Sequence, residues 1–567
     1  MKILVLSLLR LGDALLTSET LAALRIKYPD ARMDLLVNKG VESVAPFLPG
    51  IHRVYKVPRE VLQDGLVRAD RPIFEPLDRL KALVARLSAE KYDKIINLTQ
   101  TKFSGYLAAA IEANEKIGMV INHRGQASFG SPWFRYLNNV IGAGAKRGFH
   151  YADIFKYGSV GEVTEVKSAT DRIAETDKGK RELEEWLKHN PFGGGQKILL
   201  QVFTSDNKKN WPIRAWVQAL EAFRRAGAST ADAQLIALGA ANERPQLEEF
   251  QRQARAANVT VAIATMSLEG VFSLMRVSDV LVTGDTSIKH LAALSPIRIV
   301  EIALGSSDID RTGAYKAGAL IISSREECVP CRHSAPCHRD HHACAARLDA
   351  QAVGLAIGKF VEKDWPAIHL LAHEYCDDMR LTKVMIEPGG CWLPMPLDSD
   401  SIEEQVSAYI DLVSWRFFLN RQHEEALGSY GSESVRLKNW VEEVVDFTAI
   451  RSRLLPNLDQ MASVIRGYEQ RLDRLLKEMN HKIRIFHEPS RSPALTDFID
   501  NEMSAELTQL EEQLKLGKFL SESLKLNPEL GLYKIRRLHD SLSDTLTHQR
   551  IKLKLLRTFK QAIGERA

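Results

Sequence analysis

Through the first 360 residues, short apolar runs alternate with longer segments whose apolar side chains recur at helical spacing. Runs at Ile3–Leu6, Met33–Val37 and Lys94–Leu98 form one set of expected strands. Ile198–Val202, Leu235–Leu238, Val259–Ile263, Val280–Thr283 and Ile297–Ile302 form a second set. Near-continuous apolar strands alternating with helices belong to parallel sheets that are covered on both faces. A polar helical stretch near 165–190 and the Gly-rich NPFGGGQ at 190–196 separate the two sets. The pattern predicts two doubly wound α/β domains in tandem, residues 1–190 and 191–370. Ligands are then expected at the carboxyl ends of the strands, in the cleft between the domains.

Beyond a connector at 371–400, which holds the EPGGCWLP turn, the strand signal fades. Leu454, Leu458, Met461, Ile465, Tyr468, Leu472, Leu475 and Met479 recur at alternating four- and three-residue steps. Met503, Leu507, Leu510 and Leu514 form a second stripe, and Ile535, Leu538, Leu542 and Leu546 a third, less regular one. EPSRSP (488–493) and NPELG (527–531) interrupt the helices. Residues 401–567 therefore read as an all-α helical bundle or coiled-coil region. Packing within the chain and self-association through the seams account for the stripes equally well.

A length of 567 residues exceeds one core and fits several domains. The net charge of +4 is mildly basic; it suits anionic ligands or lipid head groups and gives no nucleic-acid footprint. The apolar Ile3–Leu9 run is short for a secretory signal, is followed by Arg10 and Asp13, and lacks a small-residue cleavage site, so a first strand is expected there. No run approaches the length of a membrane span. Four of the six cysteines cluster within one short stretch, which points to a reducing compartment and a local site. A cytoplasmic location follows as the expectation.

Three strand-to-helix junctions carry chemistry. In RLGDALL the chain turns at Gly12, and Asp13 stands where the first strand gives way to a helix. That position suits an N-cap, and it equally suits a carboxylate aimed into the cleft. In FTSDNKKNWP, Thr204, Ser205 and the Lys208–Lys209 pair precede a helix. Hydroxyls and a lysine suit a diphosphate, and a solvated loop has the same composition. In VTGDTSIKHLAAL, Asp285, Thr286 and Ser287 meet a helix that carries His290. Finally, CVPCRHSAPCHRDHHAC holds Cys328, Cys331, Cys337 and Cys344 with interleaved histidines; a tetrahedral Zn²⁺ or an iron fits such a set, as do four reduced thiols.

With YDKIINLTQTKFSGYLAA and DIDRTGAY, these motifs carry a resemblance to glycosyltransferase family 9, the ADP-heptose–lipopolysaccharide heptosyltransferases, over about residues 1–360. The resemblance implies the GT-B fold, two Rossmann-like domains facing a cleft. It implies an inverting transfer of a sugar, heptose from ADP-heptose, to a lipopolysaccharide-core-like acceptor, with no catalytic cofactor. Asp13 matches the family's general base and Lys209 its diphosphate-binding lysine, with Gly12, Thr204, Ser205, Asp285, Thr286, Ser287 and His290 as substrate-binding positions. Ser287 replaces the family's usual glycine, and Gly305–Ser306 stands in place of its Gly-Pro. The cysteine set is assigned a structural Zn or Fe. The partners implied are a nucleotide-sugar donor, a glycolipid acceptor and the cytoplasmic face of the inner membrane, with self-association through the C-terminal helices. Two alternatives remain open: a protein acceptor on the same fold, and a non-catalytic scaffold acting through its helical region.

Overall fold

The computed structural model describes residues 1–59, 62, 74–141, 148–161, 173–332, 336–337, 342–386, 390–398, 402–420, 435, 438–439, 447–485, 506, 508–509 and 531–564. The chain divides into two compact units, one comprising Met1–Ser131 with Phe149–Asp398, the other Pro132–Gly148 with Ser399–Ala567.

The first unit holds two main sheets. The N-terminal sheet has β1 (Lys2–Ser7), β2 (Arg32–Asn38), β3 (Ile51–Val57), β4 (Tyr92–Asn97) and β5 (Ala113–Gly118) in the order β3-β2-β1-β4-β5, all parallel. A small antiparallel hairpin follows, β6 (Val120–Ile121) with β7 (Ala127–Ser128). The second sheet has β8 (Lys197–Gln201), β9 (Gln234–Gly239), β10 (Val261–Thr265), β11 (Val280–Thr283), β12 (Arg298–Ala303), β13 (Leu320–Ser324), β14 (Met379–Ile386) and β15 (Trp392–Pro396). Its order is β10-β9-β8-β11-β12-β13-β14-β15, parallel as far as β13 and antiparallel beyond it.

Each expected strand has a counterpart; most are apolar and buried on both faces, while β10, at the sheet edge, is partly exposed. Of the strands without an expected counterpart, β13 is buried along its length inside the sheet, and its short LIISS run escaped the reading; the others differ in kind. β3 and β5 are sheet edges whose half-exposed sequences, IHRVYKV and ANEKIG, dilute the apolar run. The stretch expected as a connector, 371–400, contains β14 and β15, which extend the second sheet. Leu4, Leu6, Leu36, Ile95 and Leu107 form the core of the N-terminal half. Trp211, Trp216, Phe223, Val282 and Val300 belong to that of the second half. Each such side chain contributes about 1.5–3 kcal/mol by leaving water. This burial fixes the carboxyl ends of the central strands, where the site lies.

The second unit is helical where described. Its principal helices are Ile402–Leu419, Phe447–Ile485 and Gly531–Gly564. Of the long stripe, Leu454, Leu458, Ile465, Leu472, Leu475 and Met479 are buried, as are Leu542 and Leu546 on the last helix. Arg550 donates to Glu469 (2.9 Å), and ten residues on, Lys560 donates to Asp459 (2.5 Å), so these two helices run antiparallel. Ser414 contacts His548 (2.8 Å) and Lys552 pairs with Asp411, which makes the first helix antiparallel to the last as well. Arg471 and Arg474 both reach Glu506 within this unit. Met503, Leu507, Leu510, Leu514 and the two helix breaks at 488–493 and 527–530 lie outside the described residues, as do the side chains of Ile535 and Leu538.

The short segment Pro132–Gly148 also belongs to this unit, although the pattern put it inside the first α/β domain. Its aromatics explain the placement. Trp133, Phe134 and Tyr136 are buried; the Trp133 indole N–H donates to Asn420 (2.8 Å), and Tyr136 packs edge-on against Trp415.

Candidate active site

Helix α1 (Leu11–Lys27) begins directly after β1, with Arg10 as its N-cap residue. Asp13 is therefore the third helical residue, and its carboxylate accepts the backbone N–H of Arg10. This is the return half of a capping box, in which an acidic side chain reaches back from the first turn. The same carboxyl also faces the second half. Burial raises its pKa above the ordinary carboxylate value; Asp285 raises it further, while Arg10 and Lys209 pull it down. The two readings of Asp13 thus describe one position.

The halves meet closely here. Helix α1 packs against the helix Ser287–Ala293, which follows β11. A Cβ added to Gly12 would lie 2.9 Å from His290 Cδ2 and 3.4 Å from Ser287 Cα. Any larger residue at position 12 would force the His290 ring to shift.

Asp285 is the hub. Lys209 donates to its Oδ2 (2.5 Å) and Lys289 to its Oδ1 (2.6 Å). Lys289 is 0% exposed and donates also to Glu301 Oε1 (2.6 Å); Glu301, likewise 0% exposed, accepts the Ala314 N–H on its other oxygen (2.8 Å). Burial alone would raise the Asp285 carboxyl, but Lys289 and Lys209 outweigh it and hold the group well below the carboxylate range. Glu301 is pushed up by burial, against the pull of Lys289. His290 is neutral: burial, then the Lys289 charge, lowers its pKa to about 3. Its Nδ1 has no hydrogen-bond partner among the described residues.

The lysine loop is a built structure. Thr204 accepts through its hydroxyl from the Asp206 N–H (3.3 Å) and donates from it to the Asp206 carbonyl (2.8 Å), and its own N–H donates to Asn210 Oδ1 (2.7 Å). Ser205 is exposed. Lys208 points away from Asp285, toward the Arg332 carbonyl (3.2 Å). Thr286 caps the short helix by position, without a side-chain cap bond, and Ser287 is its first residue. A cavity of about 600 Å³ opens beside the loop, lined by Phe203, Thr204, Asn207, Asn210, Ile213 and Glu243 among others.

The structure thus gathers Asp13, Gly12, Lys209, Asp285 and His290 at the facing carboxyl edges of the two sheets, with Thr204 and Ser205 on the neighbouring loop. Sequence reasoning missed Lys289 and Glu301. A charged residue in the middle of SIKHLAAL or of the strand RIVEIA is the signal that could have found them. It also missed Tyr151, whose phenol is raised by burial and responds to Arg311, Asp308 and Asp13. Arg311 and Asp308 belong to the DIDRTGAY motif and pair loosely at 4.0 Å.

The cysteines form a separate group. Cys331 donates its N–H to the Gly305 carbonyl (2.8 Å). Its thiol is pushed up by burial and by the neighbouring Cys328, Cys344 and Cys337. The four thiols therefore share one neighbourhood. Among the described residues, however, no group of three or more ligating side chains is arranged to hold a metal ion. His333, His338 and His341 lie outside the described residues.

Residues 80–341 match the family described as glycosyltransferase family 9 (heptosyltransferase). Lipopolysaccharide heptosyltransferase 3 of Escherichia coli K12 is 28% identical over 113 residues, 20% of this chain and 30% of that protein. Lipopolysaccharide heptosyltransferase 1 of the same strain is 22% identical over 334 residues, 58% of this chain and 95% of that one. The chain spans about a third of the length of the first curated relatives it matches. Among solved structures, the E. coli ADP-heptose LPS heptosyltransferase II aligns with a TM-score of 0.46 at 14% identity, covering 64% of this chain and 100% of that one. Over residues 80–341 the chain is thus similar to glycosyltransferase family 9, the heptosyltransferase family.

Proposed function

We propose that the chain is an inverting glycosyltransferase of the GT-B arrangement that transfers heptose from ADP-heptose to a hydroxyl of a lipopolysaccharide-core-like acceptor. The observation that carries this reading is the facing of Asp13, on the N-terminal half, with the Lys209–Asp285–Lys289 array on the second half. A sugar hydroxyl is a poor nucleophile near neutral pH. Asp13 takes its proton as the new glycosidic C–O bond forms, a contribution of about 10²–10⁴-fold. The bond from the anomeric carbon to the β-phosphate oxygen breaks on the opposite face, and ADP departs with the electron pair. Lys209 offsets the growing charge on that oxygen. Asp285 orients Lys209, and Lys289 keeps Asp285 ionised in a buried place. The 600 Å³ cavity beside Thr204 suits the nucleoside.

Among the described residues no helix is long and apolar enough to cross a membrane. The proposal places the protein in the cytoplasm, in peripheral contact with a glycolipid-bearing membrane face, and lets the helical unit, a bundle, mediate weak self-association. It also includes a structural metal at Cys328, Cys331, Cys337 and Cys344, whose shared neighbourhood would contract around the ion. Elemental analysis is expected to find about one Zn or Fe per chain, lost in Cys328→Ser. Metal-free protein with all four thiols freely titratable removes that part.

The central test is Asp13→Asn, assayed by ADP release from ADP-heptose with a truncated lipopolysaccharide as acceptor. Turnover is expected to fall about 10²–10⁴-fold while donor binding persists. Near-normal turnover overturns the assignment.

A further inference from the structure

The turn after β4 carries chemistry that the donor site does not use. Residues 97–104 are fastened by their own polar side chains. Asn97 donates to the Met119 carbonyl (2.7 Å) and accepts the Thr99 N–H (3.0 Å). Thr99 Oγ1 accepts the N–H of Leu8, at the end of β1 (2.8 Å). Thr101 and Ser104 form a capping box on the helix Lys102–Ala110, and Ser104 Oγ donates to the Thr99 carbonyl (2.6 Å). The exception is Gln100. Both its Oε1 and its Nε2 are shielded from solvent without a hydrogen-bond partner among the described residues. A carboxamide left that way costs about 1–3 kcal/mol, so a rigid turn holds an amide that loses no bond by swinging outward.

On this helix Phe103 is 39% and Tyr106 49% exposed, three residues apart and so on one face. These residues stand at the carboxyl edge of β4, the strand beside β1, which leads into Asp13. We propose that this turn is the acceptor-saccharide subsite: Gln100 reads a pair of neighbouring sugar hydroxyls, and Phe103 and Tyr106 offer ring faces to the apolar face of a sugar ring. A carboxamide, one donor and one acceptor group, matches a vicinal diol, and exposed rings beside it match the C–H face of a pyranose. The inference rests on the glycosyl-transfer reading and names where its acceptor sits.

The test uses the full chain and, as probe, the delipidated core oligosaccharide of a truncated lipopolysaccharide. Its binding is measured directly by saturation-transfer NMR, and its KM with ADP-heptose as donor. Gln100→Leu and the Phe103→Ala/Tyr106→Ala pair are each expected to raise the oligosaccharide KM and weaken its binding about tenfold. The KM for ADP-heptose and kcat at saturating acceptor stay within about twofold, which also shows that the variants fold. Unchanged oligosaccharide binding in both variants overturns the subsite, as does absence of oligosaccharide binding to the unaltered protein. An effect seen with whole lipopolysaccharide but not with the delipidated probe assigns the patch to lipid and overturns it too. Failure of the unaltered protein to bind ADP-heptose, with oligosaccharide binding intact and lost in the variants, strikes the transferase reading and leaves the saccharide subsite standing.

Discussion

Replacing Lys289 with Met tests the electrostatic frame of the site more directly than any change at the reacting groups. The Lys289 ammonium is wholly buried and donates at 2.6 Å to both Asp285 and Glu301. Methionine keeps the length and apolar character of the stem and removes only the charge. What remains is two buried carboxyls, with Lys209 still held at 2.5 Å by Asp285. Removing one partner of a buried ion pair costs about 3–5 kcal/mol, because the remaining charge stays desolvated. Part of this is relieved when Glu301, already pushed up by burial, takes a proton. A fall in Tm of roughly 5–15 °C is expected by calorimetry. The double variant Lys289→Met/Glu301→Met removes both charges at that contact and is expected to recover most of the loss, a coupling of about 1–3 kcal/mol. A Tm within about 2 °C of the unaltered protein, or a double variant no better than the sum of its parts, would refute the reasoning.

The remaining predictions are shorter. Asp13 ionises against burial and against Asp285, so its folded pKa lies above the unfolded one; above that pKa the ionised group destabilises the fold. Asp13→Asn should therefore raise the Tm at neutral pH while turnover falls by the factor given above, and the acid limb of the wild-type rate profile should be displaced upward from the ordinary carboxylate value. His290, held near 3, works in the opposite sense: below about pH 6.5 the unfolded chain binds a proton that the folded one refuses, so stability falls with pH at up to about 1.4 kcal/mol per unit. Denaturant melts at pH 7 and 5 should show that loss, and His290→Gln should lessen it. Lys209→Ala should raise the ADP-heptose KM more than Lys208→Ala, whose amine turns to the Arg332 carbonyl; the reverse order would mean the loop is misread. Gly12→Ala brings a Cβ to 2.9 Å from the His290 ring and should lower activity well beyond its effect on Tm.

How much of this was legible in the sequence follows from where each side chain's partners lie. Most buried central strands announce themselves, since β1, β8 and β11 are apolar on both faces and their neighbours in the sheet are irrelevant to that signal; β13, five residues ending in two serines, did not. The junction residues after them were legible for the same reason, because Asp13, Lys209 and Asp285 each interrupt an apolar run at its carboxyl end. What could not be read is the pairing. Nothing local tells that Lys209, and not Lys208, turns toward Asp285, or that Glu301 in β12 balances Lys289 on the preceding helix. Both pairings depend on the parallel register of β11 with β8 and β12, a tertiary fact. Edge strands fail for a complementary reason: half their surface is wet, so their sequences resemble loops.

The helical unit shows the same limit at the scale of a domain. Heptad spacing in 454–479 identifies a helix with a seam, and the seam is indeed buried. The periodicity cannot tell that a segment from 300 residues earlier shares the same unit. Pro132–Gly148 leaves the α/β sequence, sets the buried Trp133 and Tyr136 against Asn420 and Trp415, and returns at Phe149. Three chain crossings in place of one mean that the helical unit is an extension tied at both ends of 132–148 as well as at 399, not a tail joined at a single point. Removing everything after about residue 395 would strip Asn420 from the Trp133 indole and Trp415 from Tyr136. These two large aromatics would then lose cover, at about 1.5–3 kcal/mol each in lost burial. A sound division of the chain removes or bridges 132–148 together with 399–567, and the order in which the two units fold has to accommodate all three crossings.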